Sequence, residues 1–287
     1  MNKLEWMHTF VQVAEAGSFS AVAQRLQVDR SHITRQVAGL EAHLGVKLFN
    51  RSTRRVVVTA AGSAYLEKCR VILNLIDAAE SGLDEVNTQP RGLIRMGLPM
   101  VFGVEVLSPL LLDFAQVYPQ VSLALQFTDQ RSHLLQDGLD LSIRITADLQ
   151  HTDIVRRLGA RPLRTVAAPS YLQAHGTPLV PADLTHHECL MYAGSSQLSQ
   201  WPYVVDGAAV WVPVRGRVQA DNGPFLLQAA LRGMGIARQP DFIADAAIAQ
   251  GAVVPILQAY EPPALGVYAV LPSTRYIPHR VNVLMDH

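Results

Sequence analysis

The chain has 287 residues, too long for one ordinary hydrophobic core, so two or three domains of ~100 residues each are predicted. Hydrophobic residues make up 49% and charged residues 17%, which excludes a disordered or fibrous protein. The net charge is zero, but residues 1–60 carry +4 and the remainder −4, as expected when only one domain meets phosphate.

The first 59 residues predict three short helices and a hairpin. Residues 4–16, 19–26 and 30–44 carry apolar side chains at spacings of three and four, the mark of amphipathic helices. Gly17 and Gly45 suit helix ends, whereas Ser18 and Asp29 suit N-caps. Residues 49–59 then predict a strand, a basic turn and a valine-rich strand.

A long helix over residues 60–87, capped by Thr59, is predicted next and would span ~40 Å. Its apolar row alternates spacings of three and four, which favours pairing with a partner helix. We therefore predict a dimer interface built from Leu66, Leu73, Ile76 and Leu83. The Gln-Pro-Arg-Gly sequence at residues 89–92 ends the helix and predicts a linker.

The remaining residues alternate between strand-like and helix-like stretches. Strands are predicted at residues 93–98, 121–127 and 139–145, and a helix at residues 104–118. This alternation predicts an α/β domain with a mostly parallel sheet and helices on its faces.

The third helix has the composition of a DNA-reading element. Its inward row consists of Ile33, Val37 and Leu40, which leaves a polar outward face at the helix N-terminus. In a major groove, that end of a helix reaches base edges. The predicted base-reading residues are Arg30, Ser31, Thr34 and Arg35, and the predicted phosphate or minor-groove contacts are Arg51, Arg54 and Arg55 at the hairpin tip. The alternative is three small helices with a solvated basic face.

The order of these elements resembles the DNA-binding domain of the LysR-type transcriptional regulators. The resemblance is long and nearly gapless, and it is carried by AEAGSFSAVAQRLQVDRSHITRQVAGLEAHLGVKLFNRSTRRVVVTAAG. At the start of the third helix this chain has Asp29-Arg30-Ser31 where the family commonly has Ser-Gln-Pro. Because Arg30 replaces an amide that would read adenine, the base preference is expected to differ.

A looser resemblance to the same family extends to residue 287, through segments such as FAQVYPQVSLALQ and ALRGMGIARQPDFI. It implies a winged helix-turn-helix at residues 1–59, a linker helix and hinge at 60–91, and an effector domain at 92–287. That domain would resemble periplasmic solute-binding proteins, with subdomain I at 92–163 and 266–287 and subdomain II at 164–265. The resemblance also implies homodimers, commonly assembled into tetramers, that bind double-stranded promoter DNA.

An effector is expected in the cleft between the two subdomains, because α/β sheets bind ligands beyond the carboxyl ends of their strands. The predicted contacts are Pro99, Met100, Phe102, Thr128, Arg144, Asn222 and Gly223. Arg144 and the predicted helix N-terminus after Asn222 together favour a carboxylate. The alternative for Arg144 is a pair with Asp140 or Asp148.

Other functions find less support in the sequence. A solute-binding protein is disfavoured by the basic N-terminal segment, and an α/β enzyme by the lack of a Gly-rich phosphate loop or a GxSxG motif. No metal or cofactor is expected, and the His186-His187 pair is expected in a surface loop. Two unpaired cysteines and no apolar run of ~18 residues predict a reduced, cytoplasmic protein off the membrane, with RNA polymerase as a partner if it activates.

Overall fold

The computed structural model describes residues 2–51, 56–81, 89–129, 134, 138–147, 149, 154–193, 199–272 and 277–287. The chain forms two compact units. The first comprises Met1–Gly92 with the stretches Leu135–Gly138 and Thr274–Asp286, and the second comprises Leu93–Leu134, Leu139–Ser273 and His287.

The first unit contains three short helices, a hairpin and a long helix, as predicted. Their bounds are α1 Lys3–Ala16, α2 Phe19–Leu26, α3 Arg30–Leu44, β1 Phe49–Arg51, β2 Val56–Val58 and α4 Ala60–Ser81. The two strands are antiparallel, with Phe49 opposite Val58. The predicted continuation of α4 to residue 87 lies outside the described residues.

Short-range chemistry sets most of these helix ends. Ser18 accepts a hydrogen bond from the Ala21 N–H at 3.3 Å, so it caps α2 as predicted. Gly17 and Gly45 follow α1 and α3 with φ of 61° and 70°, the left-handed region that glycine enters without strain. Thr59 accepts an N–H from the first turn of α4 at 2.9 Å.

The predicted N-cap residue of α3 is confirmed, but it caps the helix without a side-chain hydrogen bond. Asp29 occupies the N-cap position with extended backbone, but its carboxylate makes no capping hydrogen bond. Its backbone carbonyl instead accepts the His32 N–H at 2.9 Å. No side chain therefore closes the first turn of α3.

One hydrophobic core joins the helices and hairpin of the first unit. Phe10 is central to it, with its ring centroid 5.2 Å from that of Phe49 and 5.9 Å from that of Tyr65. The buried members are Met7, Phe10, Val11, Val13, Phe19, Val22, Ala23, Ile33, Val37, Leu40, Leu48, Phe49 and Cys69. Because apolar burial contributes about 25 cal/mol per Å², this core is the main source of the unit's stability.

The second unit is built on two sheets. In chain order its elements are β3 Gly92–Leu98, α5 Met100–Phe102, α6 Ser108–Val117, β4 Val121–Phe127, β5 Leu141–Thr146, β6 Ile154–Arg161, β7 Leu163–Ala167, α7 Pro169–His175, β8 Cys189–Tyr192, β9 Gln200–Val205, β10 Ala208–Pro213, β11 Gln219–Ala220, α8 Gly223–Leu231, β12 Ile236–Pro240, α9 Asp241–Ala249, β13 Val254–Ile256 and β14 Leu265–Leu271. The last helix, α10 His279–Asp286, is grouped with the first unit.

Each sheet defines a subdomain and has mixed strand directions. The first subdomain has the strand order β4-β3-β5-β14-β6, and the second has β11-β8-β12-β7-β13, with β9 and β10 as a separate hairpin. The pairs β3–β5, β11–β8 and β8–β12 are parallel, but β14 and β7 run against both of their neighbours. The expectation of a mostly parallel sheet was therefore wrong, because the chain leaves the first sheet after β6 and returns to it in β14.

The predicted helix after β3 begins earlier than expected and contains a π-helical turn at Gly103–Leu107. This turn immediately precedes Ser108 and Pro109. Proline has no N–H and its ring displaces the carbonyl four residues earlier, which explains why the helix widens here. The Ser108 hydroxyl donates to the Gly103 carbonyl at 3.1 Å and closes the widened turn.

The same helical stretch corrects the expectation that no apolar run could span a bilayer. Met100–Val117 is long and apolar enough to cross a membrane by length and composition, with a mean hydropathy of 1.6. A core helix passes the same test, and here Leu111 and Phe114 are buried. Leu110, Leu112 and Val117 are instead exposed.

A polar cluster in the second subdomain corrects the expected surface position of His187, which is 8% exposed. The Tyr171 hydroxyl accepts the Glu188 backbone N–H at 3.0 Å and shares a second hydrogen bond of 3.2 Å with His187 Nδ1, whose direction depends on the imidazole tautomer. Nδ1 can accept this bond only when the imidazole is neutral. Burial lowers the pKa of His187, the neighbouring His175 and His186 lower it further, and Asp183 raises it.

We predict that His187 makes the second unit less stable in mild acid. The unfolded chain takes up the proton near pH 6.5, the ordinary pKa, whereas the folded chain resists it until a lower pH. The unfolded state then binds more protons, so stability falls below pH 6.5 by at most about 1.4 kcal/mol per pH unit. In urea titrations at several pH values, His187→Asn should flatten this slope and the exposed control His186→Asn should not. Identical slopes for His187→Asn and the unsubstituted chain would contradict the assignment.

Candidate nucleic-acid interface and effector cleft

The N-terminal face of α3 presents the predicted base-reading residues together. Arg30, Ser31 and Arg35 are exposed, and Thr34 is half-buried. The Thr34 hydroxyl donates to the Arg30 carbonyl at 2.9 Å, and Arg35 Nε donates to the Ser31 carbonyl at 3.4 Å. Thr34 therefore offers a base its oxygen lone pairs, whereas the terminal nitrogens of Arg35 remain donors.

The hairpin after α3 carries the predicted backbone contacts. Arg51 is the last residue of β1 and pairs with Val56 across the hairpin. Its side chain, like Arg54 and Arg55 as a whole, lies outside the described residues. The described strands flank the basic turn, with β1 ending at Arg51 and β2 beginning at Val56.

Glu41 fixes the hairpin to α3. Its side chain is buried, and Oε1 accepts the backbone N–H groups of Leu48 at 3.0 Å and Phe49 at 3.2 Å. Oε2 binds Lys47 Nζ at 2.9 Å. Burial raises the pKa of Glu41, but Lys47 and the two N–H donors lower it more, so the net pKa is below its usual value.

A second buried network fixes α3 to α1. The Thr9 hydroxyl donates to Gln36 Oε1 at 2.6 Å, and Gln36 Nε2 donates to Glu5 Oε1. Sequence reasoning missed both Gln36 and Glu41, although a signal was present. Both lie on the apolar stripe of α3 with Ile33, Val37 and Leu40, where a polar residue implies a buried partner.

The predicted dimer residues of α4 lie in mixed surroundings. Leu66 and Leu73 pack against the core of their own unit, and Ile76 is half-buried. Leu83 lies outside the described residues. Among the large apolar side chains described in α4, Ile72 is exposed, and sequence reasoning did not select it.

The first subdomain gathers its predicted effector residues at one edge. Pro99, Met100 and Phe102 follow β3, and the Thr128 N–H donates to the Leu98 carbonyl at 2.9 Å, so the ends of β3 and β4 meet. Met100 is 44% exposed, but Phe102 is only 3% exposed and belongs to the buried hydrophobic residues.

Arg144 lies at the same edge on the neighbouring strand. β3 and β5 pair in parallel with Gly97 opposite Ser142, and Arg144 follows two residues later, half-buried. Asp129 is also at this edge and accepts the Met100 N–H at 2.9 Å, so a carboxylate already occupies the N-terminus of α5.

The second subdomain contributes the N-terminus of α8. Asn222 caps this helix by accepting the Phe225 N–H at 3.0 Å. Gly223 is buried, and a Cβ there would come within 2.9 Å of Gln239 Oε1 and 2.6 Å of Ile243 Cδ1. The Gln239 side chain is buried, and within the described part of the chain its Nε2 has no hydrogen-bond partner. Sequence reasoning missed Gln239, since a lone glutamine in a strand gives no signal.

Two contacts join the subdomains beside these residues. The rings of Phe102 and Phe242 meet edge to face with centroids 5.1 Å apart. Arg161 lies 5.6 Å from the Phe102 centroid and 3.5 Å from Asp241 Oδ2. Burial, Asp129 and Asp221 raise the pKa of Tyr192 to about 12.

Comparison with known proteins gives matches over the whole chain. Residues 4–63 match the family model described as "Bacterial regulatory helix-turn-helix protein, lysR family", and residues 87–287 match "LysR substrate binding domain". The transcriptional activator AaeR of Escherichia coli is 33% identical, covering 100% of this chain and 93% of its own length. A transcriptional repressor of Pseudomonas aeruginosa is 32% identical, covering 100% and 91%. The structure of the LysR-type regulator CrgA from Neisseria meningitidis aligns with a TM-score of 0.61 at 30% identity, covering 98% of this chain and 96% of that one.

Proposed function

The chain belongs to the LysR family of transcriptional regulators, and we propose that its α3 reads promoter sequence while a small carboxylate in the subdomain cleft controls its activity. The exposed face of Arg30, Ser31 and Arg35 carries the first half of this proposal. An arginine fork can donate two hydrogen bonds to guanine O6 and N7, so Arg30 and Arg35 favour G·C pairs. Arg51, Arg54 and Arg55 supply phosphate or minor-groove contacts.

The test is binding of the full-length chain to the DNA upstream of its own gene, measured by gel retardation at several salt concentrations. Affinity should fall steeply with salt, with a log–log slope of about −0.9 for each phosphate contact. Binding that ignores both sequence and salt would reject the proposal.

Arg35→Ala should weaken specific binding and relax base preference at one position. A bidentate base contact is worth about 1–3 kcal/mol of discrimination. Arg35→Lys is the matched control, because it keeps the charge and the phosphate attraction but loses the fork. An equal loss on every DNA sequence would mean that Arg35 contacts only the backbone.

The effector half of the proposal is supported by the polar groups at the cleft edge. Arg144, the Asn222-capped helix α8 and the unsatisfied amide of Gln239 lie where α/β sheets bind ligands. A ligand that binds the folded state raises the unfolding temperature in proportion to ln(1 + [L]/Kd). Thermal shifts of the full-length chain with small carboxylates should therefore grow with ligand concentration, and the same ligands should change DNA binding.

We also propose a homodimer through α4, with Ile72 in the contact. Leu66 and Leu73 support the unit's own core, so they are poor probes of the interface. Ile72→Glu should give a monomer by light scattering, since an uncompensated buried charge opposes association. Glu67→Lys on the same helix is the charge-change control and should leave the dimer intact. A dimer unchanged by Ile72→Glu would place the interface elsewhere.

A further inference from the structure

The side chain of His32 lies in the first turn of α3, directly after Ser31, and the sequence did not indicate it as a DNA contact. Its Nε2 is 3.9 Å from Glu5 Oε1 on α1. The two side chains are 47% and 51% exposed, so both solvent and DNA can reach them. The distance is longer than a hydrogen bond, and exposed ion pairs contribute only about 0–1 kcal/mol. A stronger anion can therefore replace Glu5 as the partner of His32.

The Glu5 carboxylate, by contrast, is fixed in place. The oxygen nearest His32 also accepts a hydrogen bond from Gln36 Nε2, and the buried Gln36 is itself held by the Thr9 hydroxyl at 2.6 Å. Turning the carboxylate away from α3 would break a partly buried hydrogen bond. A negative charge is thus held beside the proposed DNA contacts, where it repels phosphate unless a cation neutralises it.

The position of His32 is on the flank of α3 rather than on its central outward line. Ser31 and Arg35 are one turn apart and are joined by the bond from Arg35 Nε to the Ser31 carbonyl, so they share that line. His32 is rotated about 100° from Ser31, toward Glu5 on α1. A helix about 10–12 Å wide fills a major groove ~12 Å wide, so its centre faces base edges and its flanks face the phosphate backbones. This position favours a phosphate as the partner of His32.

An imidazole meets a phosphate best in its protonated form, which carries a charge and donates from both ring nitrogens. A neighbouring anion favours that form, and histidine changes its charge between pH 5 and 8. The charged or titratable residues near His32 on the described α1 and α3 are Lys3, Glu5, His8, Asp29, Arg30 and Arg35. These groups have mixed signs, whereas a bound phosphate backbone adds only negative charge. DNA binding and protonation of His32 should therefore favour each other.

We propose that His32 is a proton-dependent phosphate contact of α3, so that the DNA affinity of this chain rises as the pH falls from 8 to 6. On DNA, the imidazole takes up a proton from solution, contacts a phosphate and neutralises the adjacent Glu5 carboxylate. This inference rests on the proposed role of α3 in DNA binding and adds a regulation by pH that is separate from the effector cleft.

Two quantities should change with pH if His32 acts in this way. Uptake of up to one proton permits at most a tenfold change in affinity per pH unit, and we expect affinity to rise about three- to tenfold from pH 8 to pH 6. The new charge also adds one phosphate contact. The log–log slope of affinity against salt should therefore be steeper by about 0.9 at pH 6 than at pH 8.

The experiment measures binding of the full-length chain to labelled duplexes by fluorescence anisotropy at both pH values and several salt concentrations. The DNA upstream of its own gene is compared with a random duplex of equal length, because a phosphate contact does not depend on sequence. His32→Gln should lose both pH effects, and His32→Arg should bind at pH 8 as tightly as at pH 6. His43→Gln is the matched control, since His43 is exposed in the last turn of the same helix, and it should keep both effects.

Glu5→Gln separates the two members of the pair. Its amide oxygen still accepts the bond from Gln36, but the negative charge is removed. Affinity at pH 8 should rise because a repulsive charge is lost. The steeper salt slope at pH 6 should remain, since the imidazole is unchanged.

Three results would overturn the assignment. These are pH effects that persist in His32→Gln, a difference in salt slope that disappears in Glu5→Gln, and a pH effect confined to the specific duplex, which would make His32 a base contact. Binding that ignores salt and sequence at every pH would instead reject the proposed role of α3. Salt-dependent specific binding that does not change with pH leaves that role intact and rejects the assignment of His32. Circular dichroism at each pH shows that every variant is folded.

Discussion

Replacing Glu41 by alanine is expected to destabilise the first unit by about 3 kcal/mol and to weaken DNA binding. The substitution leaves two buried backbone N–H groups, those of Leu48 and Phe49, without a hydrogen-bond acceptor. Each unsatisfied group costs about 1–3 kcal/mol. The same bonds position the strand that leads into the basic turn. Glu41→Gln keeps an accepting oxygen and should lose less.

Hydrogen exchange gives the most specific measurement of this effect. The amides of Leu48 and Phe49 should exchange faster in Glu41→Ala than the amides of α1, which make no bond to Glu41. Unchanged protection at both amides would show that the carboxylate does not hold the hairpin.

The ionisation of Glu41 adds a second loss of stability in acid. Here protonation removes a charge that the fold stabilises, whereas protonation of His187 creates a charge that burial disfavours. The folded pKa of Glu41 is lowered, so its contribution is fully present above the ordinary value of 4.5 and is lost as the pH falls through the folded pKa. Glu41→Gln should remove this acid-dependent component of unfolding. The two effects therefore occupy separate pH windows, one beginning near 6.5 and one below 4.5.

As a separate substitution, Gly62→Ala should lower the free energy of unfolding of the first unit by roughly 3 kcal/mol, although alanine is the better helix former. A Cβ at Gly62 would overlap the Leu48 carbonyl oxygen and lie 2.7 Å from Val58 Cγ1. Backbone cannot move aside as a side-chain end does, so the hairpin would separate from the start of α4.

Ser63→Ala is the matched control, because Ser63 is exposed on the next position of the same helix. It should be neutral or slightly stabilising. Urea unfolding followed by Trp6 fluorescence, with Trp201 and Trp211 replaced by phenylalanine, isolates the first unit. Equal midpoints for Gly62→Ala and Ser63→Ala would refute the close approach of α4 and the hairpin.

The elements of the first unit were predictable because their signals are local. The apolar spacing of α3, the left-handed glycines and the Ser18 cap each depend on residues within a few positions. The Asp29 cap shows the limit of such reasoning, because residue type gave the backbone conformation but not the direction of the carboxylate.

The second unit was harder to predict because its paired strands are distant from each other in the chain. β14 returns to the first sheet about a hundred residues after β6, and no local pattern indicates that it runs antiparallel to both neighbours. Arg144, Asn222 and Gly223 were predicted from strand and helix ends. Gln239 could be identified only from the structure, which places its side-chain amide next to Gly223.

For the basic N-terminal segment, the sequence by itself determined the DNA-binding architecture, since helix periodicity and charge are local properties. Only the tertiary structure showed that Glu41 holds the hairpin through the Leu48 and Phe49 N–H groups and that Gln239 lies against Gly223. The reason is physical: the energy of a buried charge depends on which distant groups fold around it, and that information is not present in its neighbours along the chain.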